Sequence, residues 1–266
     1  MKKLIFFDID GTIITENGQK RVIPDSALEA IRKLQANGHL CFINSGRTMS
    51  EMNKTILDIG MDGLICGCGT YISYHDEILF SRTIPFSLGN EILKDLEICG
   101  FEWVLEGENT LYYSTKPYET HIGDFKNEHM VENSLAFSMV SPEEAHNLSF
   151  DKFCICLKKE SDFETFRKKY DKELTFIDRG DGFWEIVPIG CSKASGIQYL
   201  MDYFNIELND TYAIGDSSND LPMLEFAGTG IAMGNSSDIV LKSADYVTDD
   251  ILEDGIYNAM KHFNLI

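Results

Sequence analysis

The 266-residue chain contains no apolar run approaching the ~18 residues of a membrane-spanning helix, so no transmembrane segment is expected. It also lacks any basic block. Its 43 acidic residues outnumber 23 basic ones, and the formal charge of −20 argues against broad contact with nucleic acid phosphates or an anionic membrane. A small anionic ligand stays compatible if a metal and a few cations reverse the field locally. There is no CxxC pair. The seven cysteines are scattered, and the closest pairs, Cys66/Cys68 and Cys154/Cys156, have the alternating spacing of strand residues rather than of metal ligands. An odd count without a framework implies a reducing, cytoplasmic compartment. The opening "MKKLIFFD" imitates a signal peptide only briefly, because its apolar run is short and ends in a charge without a cleavage site. Low-complexity segments and internal repeats are missing too, so disorder and solenoid architectures are not expected.

What is present is a 44% hydrophobic chain with ample material for a core. Its first ~80 residues alternate strand and helix signals. "LIFF" reads as a doubly buried parallel strand and Asp25–Gly38 as a helix that Asp25 or Ser26 can cap, with Gly38 at its C′ position. "HLCFIN" is a second buried strand, "SEMNKTILDIG" a second amphipathic helix, and "DGLICGCGTYISY" further strand. The texture changes near residue 82 to aromatic strands and short helices, fit for a largely antiparallel sheet that includes a hairpin pair in "LTFIDRGDGFWEIVP". It returns with "SKASGIQYLMDYF", "TYAIGD" and the alternation that follows. The expected architecture is α/β: a Rossmann-like, doubly wound parallel-sheet core in residues 1–81 and 188–266, with an α/β domain inserted at 82–187.

Three expected parallel strands end in polar sequences. They are "FFDIDGT" (Asp8, Asp10, Gly11, Thr12), "CFINSGRT" (Ser45, Gly46, Arg47) and "YAIGDSSND" (Gly215, Asp216, Asn219, Asp220). Open parallel sheets bind ligands at the carboxyl ends of their strands, so the three endings should converge in one crevice. Taken singly, each is more often a turn or a helix cap; together they point to a site. Asp8, Asp10, Asp216 and Asp220 would need a hard divalent cation, and all-oxygen ligation points to Mg²⁺ rather than zinc. A Ser hydroxyl, the amides beside Gly46 and a Lys or Arg suit phosphoryl oxygens. One carboxylate is then available as nucleophile and another as general acid/base.

With these motifs the sequence resembles the haloacid dehalogenase superfamily of phosphohydrolases, in particular its Cof-type members with a large α/β cap. "DIDGT" matches the first motif, "NSGR" places Ser45 at the second, "CSKASGI" supplies Lys193 for the third, and "GDSSND" matches the acidic fourth. Order and spacing fit the whole chain, while the cap matches only by size and position. The resemblance implies that Asp8 attacks phosphorus to form an aspartyl-phosphate and that Asp10 protonates the leaving oxygen and then activates water. It implies Mg²⁺ held by Asp8, the Asp10 carbonyl and Asp216, with Asp220 or Asn219 nearby. Ser45 and Lys193 would bind the transferring group, Lys193 would also keep Asp8 charged, and Gly46, Thr12, Arg47 and Asn219 complete the candidate phosphate-binding set. Cof-type chains usually carry an Asn-Gly pair where this one has Cys68-Gly69, and a thiol cannot reproduce the two-sided hydrogen bonding of an amide. That departure bears on the leaving-group side. Ala194, after the lysine, departs mildly from the commoner Lys-Gly.

Plainer readings stand beside these. Arg47 is balanced between a ligand contact and a surface ion pair. Trp103, Tyr112, Tyr113 and Trp184 read as core, His121 and His129 as surface residues, and Arg179 as a hairpin-tip residue that could reach a ligand. The leading function is a Mg²⁺-dependent phosphatase acting on a small phosphorylated metabolite such as a sugar phosphate, nucleotide or phosphorylated cofactor. A phosphomutase of the same superfamily, a receiver-like phosphoryl switch and a non-catalytic ligand-binding regulator are the alternatives. Asp10 speaks against a switch, since an acid/base beside the nucleophile shortens the life of an acyl phosphate. The sequence is silent on oligomeric state.

Overall fold

The computed structural model describes residues 2–15, 21–131 and 136–266. Contacts separate two compact units. The first takes in the chain through Gly46, Ile59–Leu79 and Ser192–Ile266; the second is Phe80–Cys191 together with Arg47–Asp58.

Along the chain, β1 (Leu4–Phe7), β2 (Leu40–Asn44), β3 (Gly63–Cys66), β4 (Tyr71–Tyr74) and β5 (Glu77–Ser81) come first. Next are β6 (Glu102–Glu106), β7 (Leu111–Ser114), β8 (Phe137–Val140), β9 (Lys152–Cys156), β10 (Leu174–Asp178) and β11 (Phe183–Pro188). The chain closes with β12 (Thr211–Gly215), β13 (Thr229–Ala232) and β14 (Tyr246–Val247). One sheet has the order β14-β13-β12-β1-β2-β3-β4-β5. Its pairs from β14 through β3 are parallel, and β4 runs antiparallel to β3. This is the Rossmann-like parallel core that the alternating texture implied.

Every residue of β1, β2 and β12 is buried, which accounts for continuous apolar runs in place of alternation. Phe6 stacks on Phe42 at 5.7 Å between ring centroids. Each fully buried side chain of this kind stabilises the sheet by roughly 2 kcal/mol. Strand order reverses at β1, with β2 and β3 on one side and β12 and β13 on the other, so the crevice of a doubly wound sheet opens where β1 and β12 end.

Two helix expectations change in detail. The helix Asp25–Ala36 buries Ala27, Ala30, Ile31 and Leu34 and is closed by Gly38 at φ +85°, but its N-cap is Pro24. Asp25 instead lies in the first turn, where its charge meets the positive end of the helix dipole. "SEMNKTILDIG" is not one helix. It breaks into a 3₁₀ turn, Met49–Glu51, and a single α turn, Lys54–Leu57. Thr48 forms a capping box with Glu51, and Asn53 Oδ1 accepts from Ile56 N at 3.1 Å, so the segment starts twice and never runs on.

In the second unit the sheet order is β10-β11-β9-β6-β7-β8. It is antiparallel except for the β7–β8 pair, which is parallel. A parallel neighbour requires a crossover, supplied by the helix His121–Val131. Sequence reading missed that helix because its few apolar residues form no clear stripe. Trp103 and Tyr113 are core residues as expected, and Tyr112 and Trp184 pack half-buried against the core. Arg179 turns to Glu185, at 3.3 Å, and Glu185 with Glu106 flanks the buried Lys152. His121 is exposed, while the side chain of His129 lies outside the described residues.

The helix Lys193–Phe204 ends at the exposed Asn205, held left-handed at φ +52°. Alanine tolerates that conformation poorly, at a cost of about 1 kcal/mol. Asn205→Ala is therefore expected to lower the melting temperature by about 3 °C in a calorimetric scan, with turnover unchanged.

Candidate active site

Just beyond β1 the chain makes a tight turn in which Ile13 N and Ile14 N both donate to the Ile9 carbonyl, at 2.9 Å each, and Gly11 N donates to the Ile14 carbonyl at 2.8 Å. Gly11 is required there twice over. Its φ is +79°, and an added Cβ would lie 2.2 Å from Asp216 Oδ2. The first and fourth motifs thus meet with no room for a methyl group.

Asp8, Asp216 and Asp220 gather at the ends of β1 and β12, each buried, with one carboxylate oxygen from each within 4.8 Å of the others. Lys193 is 1% exposed and donates from Nζ to Asp8 Oδ1 at 2.6 Å and also to Asp220 Oδ1. Asp220 Oδ2 accepts from Asp216 N at 2.9 Å and Ser217 N at 3.0 Å, which ties the loop after β12 into one unit. Thr12 Oγ1 donates to Asp216 Oδ1 at 2.8 Å, so this buried hydroxyl orients a carboxylate. Asn219 Oδ1 accepts from the Ser217 hydroxyl.

The electrostatics follow from burial. The Asp8 carboxyl is pushed up to about 7, first by desolvation and next by the Asp220 charge, against the pull of Lys193. Asp10 adds the least of these effects, although the sequence pairs it with Asp8 most visibly. Its side chain is 31% exposed and lies 3.6 Å from Arg21 Nη1. The like-charge partner of Asp8 is chiefly Asp220, 212 positions away in the chain. Burial would depress the Lys193 ammonium, but Asp220 and Asp8 together raise it above its ordinary value.

From β2, Ser45 N donates to the Ile65 carbonyl at 2.9 Å and the Ser45 carbonyl accepts from Cys68 N at 3.1 Å. Gly46 is the last residue of the first unit, whereas Arg47 belongs to the second, with Nη1 3.4 Å from the Glu51 carbonyl. Asn235 escaped the sequence reading. Its Nδ2 donates to the Gly11 carbonyl at 2.8 Å and its Oδ1 accepts from Ile251 N at 3.0 Å, so it braces the first-motif turn. The signal was available: "TGIAMGNSS" is another strand with a polar ending, as the other three have.

Three buried carboxylates against one ammonium leave the cluster short of positive charge, and its donors are all oxygen. That set fits a hard divalent cation. A parallel α/β core with such a cluster at its switch point suits the binding of a phosphoryl group.

The comparisons agree. The family model for haloacid dehalogenase-like hydrolases matches residues 5–260. The chain is 30% identical to the phosphoglycolate phosphatase of Nitrosopumilus maritimus (strain SCM1), over 98% of this chain and 96% of that one. It is 28% identical to the 5-amino-6-(5-phospho-D-ribitylamino)uracil phosphatase YcsE of Bacillus subtilis (strain 168), over 99% and 96% of the two chains. Among solved structures, the HAD subclass IIB sugar phosphatase BT4131 superposes with a TM-score of 0.82 at 28% identity, covering 99% of this chain and 100% of that one. The chain belongs to the haloacid dehalogenase-like hydrolase family and is a phosphoric monoester hydrolase.

Gly11→Ala forces a methyl group into Asp216 and strains the turn at the same time. Phosphate release is expected to fall at least 100-fold, an estimate from the loss of site geometry. Activity near that of the parent protein would mean that the contact between Gly11 and Asp216 does not matter.

Proposed function

We propose that this phosphatase hydrolyses small phosphate monoesters, such as a sugar phosphate, a nucleotide or a phosphorylated cofactor, by way of an aspartyl-phosphate on Asp8. The observation that carries the reading is the buried Asp8–Lys193–Asp220 arrangement beside Asp216, at the ends of β1 and β12. The substrates named for the relatives, phosphoglycolate, a phosphoribitylaminouracil and a sugar phosphate, support the substrate class.

The steps divide between two carboxylates of unlike environment. A carboxylate oxygen of Asp8 attacks phosphorus while the bond from phosphorus to the substrate oxygen breaks. Asp10, whose side chain is partly exposed, is suited to deliver a proton to that leaving oxygen. The resulting Asp10 carboxylate then takes a proton from a water molecule as it attacks phosphorus, and the bond to Asp8 breaks to give inorganic phosphate. Lys193 favours the charged form of Asp8 and, with Ser45 and the amide beside Gly46, contacts the phosphoryl oxygens. Asp8 and Asp216, together with the Asp10 carbonyl, are the residues to hold Mg²⁺, while Asp220 steadies Lys193 and the loop that carries Asp216. When bound, Mg²⁺ supplies positive charge to the carboxylates and the phosphoryl group.

The same reading places the enzyme in the cytoplasm with small metabolites as partners. All seven cysteines are buried and outside any disulfide, and no helix among the described residues is long and apolar enough to cross a membrane. The net charge of −20 disfavours nucleic acid.

With Mg²⁺ present, the protein is expected to release phosphate from a generic aryl phosphate, and Asp8→Asn to abolish this with the melting temperature nearly unchanged. Retention of most activity in that variant would sink the covalent mechanism. Asp10→Ala is expected to stall turnover and to leave phosphate on Asp8, read as an added phosphoryl mass on the intact protein; unchanged steady-state rates would remove Asp10 from the acid/base role. Analysis of products separates hydrolysis from a mutase, which would return an isomer in place of free phosphate.

A further inference from the structure

Asn44 is a fully buried amide at the end of the apolar strand "LCFIN", one residue before Ser45. A buried amide in such a strand is costly unless it is fully hydrogen-bonded. Asn44 is only half satisfied. Its Nδ2 donates to the main-chain carbonyl of Lys193 at 3.0 Å, and its Oδ1 has no hydrogen-bond partner among the described residues. Leucine would fit such a strand without leaving an acceptor unmet, so core packing does not explain the amide.

The one bond it makes falls on a telling residue. Lys193 begins the helix Lys193–Phe204, and its ammonium lies between Asp8 and Asp220. Neighbouring contacts press on the same helix start. Asn44 is paired in register with Ile65 on β3, and an added Cβ at Gly196, in the first turn of the helix, would lie 2.6 Å from Ile65 Cγ2. Gly67, Cys68 and Gly69 are all left-handed, at φ +57°, +52° and +85°. That conformation brings Gly69 so close to the helix that an added Cβ would meet the Ser192 carbonyl at 2.4 Å. Ser192 itself closes a capping box with Ser195. The helix start is therefore clamped by backbone and small residues on one side, and the Asn44 side chain holds the main chain of Lys193.

We propose that Asn44 is a positioning residue for catalysis, which sets the depth of Lys193 in the site by holding its carbonyl and so aims Nζ at Asp8 and Asp220. The inference rests on the role proposed above for Lys193. A carbonyl has two lone pairs, so the Asn44 bond adds to the helix's own bonding instead of replacing it. Its loss leaves the helix formed but its first residue less constrained, with a lysine side chain that must hold a site geometry to a fraction of an ångström.

The test is a double-mutant cycle on kcat/KM for an aryl phosphate, using Asn44→Leu and Lys193→Arg with melting temperatures alongside. Asn44→Leu is expected to lower kcat about tenfold, the effect of one lost positioning hydrogen bond, while the melting temperature holds or rises because an unmet acceptor is removed. In the Lys193→Arg background the same change is expected to cost less than twofold, because the tethered ammonium is already gone. Equal losses in both backgrounds, or full activity in Asn44→Leu, would overturn the proposal. Should Asn44→Leu fail to fold, Asn44→Ser replaces it. It is expected to lower kcat with KM little changed, and a pure KM effect would count against a positioning role. The reading beneath is tested separately, since a fully active Lys193→Arg would count against the role of Lys193 whatever Asn44 does.

Discussion

The structure of the site depends on one buried cation. Lys193 lies between Asp8 and Asp220 where water hardly reaches, and each of the three charges would be expensive there alone. Removing the ammonium would leave two carboxylates facing each other in a low-dielectric interior, a change of the class that costs about 3–5 kcal/mol when one partner of a buried pair is lost. Much else follows from keeping the ammonium in place. The Ser192–Ser195 capping box fixes where the helix begins, and Gly196 lets the helix approach β3. Asp220 is in turn fixed by the amides of Asp216 and Ser217, so the cation and the loop after β12 are set by the same carboxylate.

That arrangement explains how two aspartates two positions apart can differ so much. The strand β1 ends at Phe7 and the chain turns at once, so Asp8 is drawn into the interior while Asp10 lies partly exposed beside Arg21. A buried carboxyl pushed up by desolvation and an accessible one suit different tasks, and this separation by environment is what supports the proposed division into nucleophile and acid/base. The sequence shows the pair; only the fold shows that the stronger repulsion on Asp8 comes from Asp220.

The sheet core was legible because doubly buried parallel strands leave continuous apolar runs, and the strand-end motifs were legible because a parallel sheet places its ligands at those ends. "LIFF", "LCFIN" and "TYAIG" fall where expected, and the carboxylates that follow the first and the last of them gather at the crevice. What stayed hidden was set by contacts distant in sequence or by competing caps. Asn53 interrupts a helix that apolar spacing alone would continue, and His121–Val131 lacks the apolar stripe that announces a helix. Thr12 and Asn219, candidate phosphate contacts in the sequence, have polar atoms that engage Asp216 and Ser217. A hydroxyl beside a strand end is readable in sequence, but its partner is not. Asn44 was hidden for the same reason, as a polar letter at the end of an apolar run.

The chain passes between its two units at Gly46–Arg47, Asp58–Ile59, Leu79–Phe80 and Cys191–Ser192. Two of those four crossings adjoin residues assigned to the phosphoryl group, since Ser45 and Gly46 precede the first and Lys193 follows the last. Both groups of residues are anchored within the first unit. Ser45 is held through its amide to Ile65 and through its carbonyl by Cys68 N. Lys193 is held through its carbonyl by Asn44, through the cap at Ser192 and through its ammonium by two carboxylates. The left-handed run at Gly67–Gly69 serves both anchors, because Cys68 N meets Ser45 while Gly69 abuts Ser192. A non-glycine residue at φ +52° in the middle of that run is strained, and its persistence is intelligible because the one turn has to reach the ends of two elements at once.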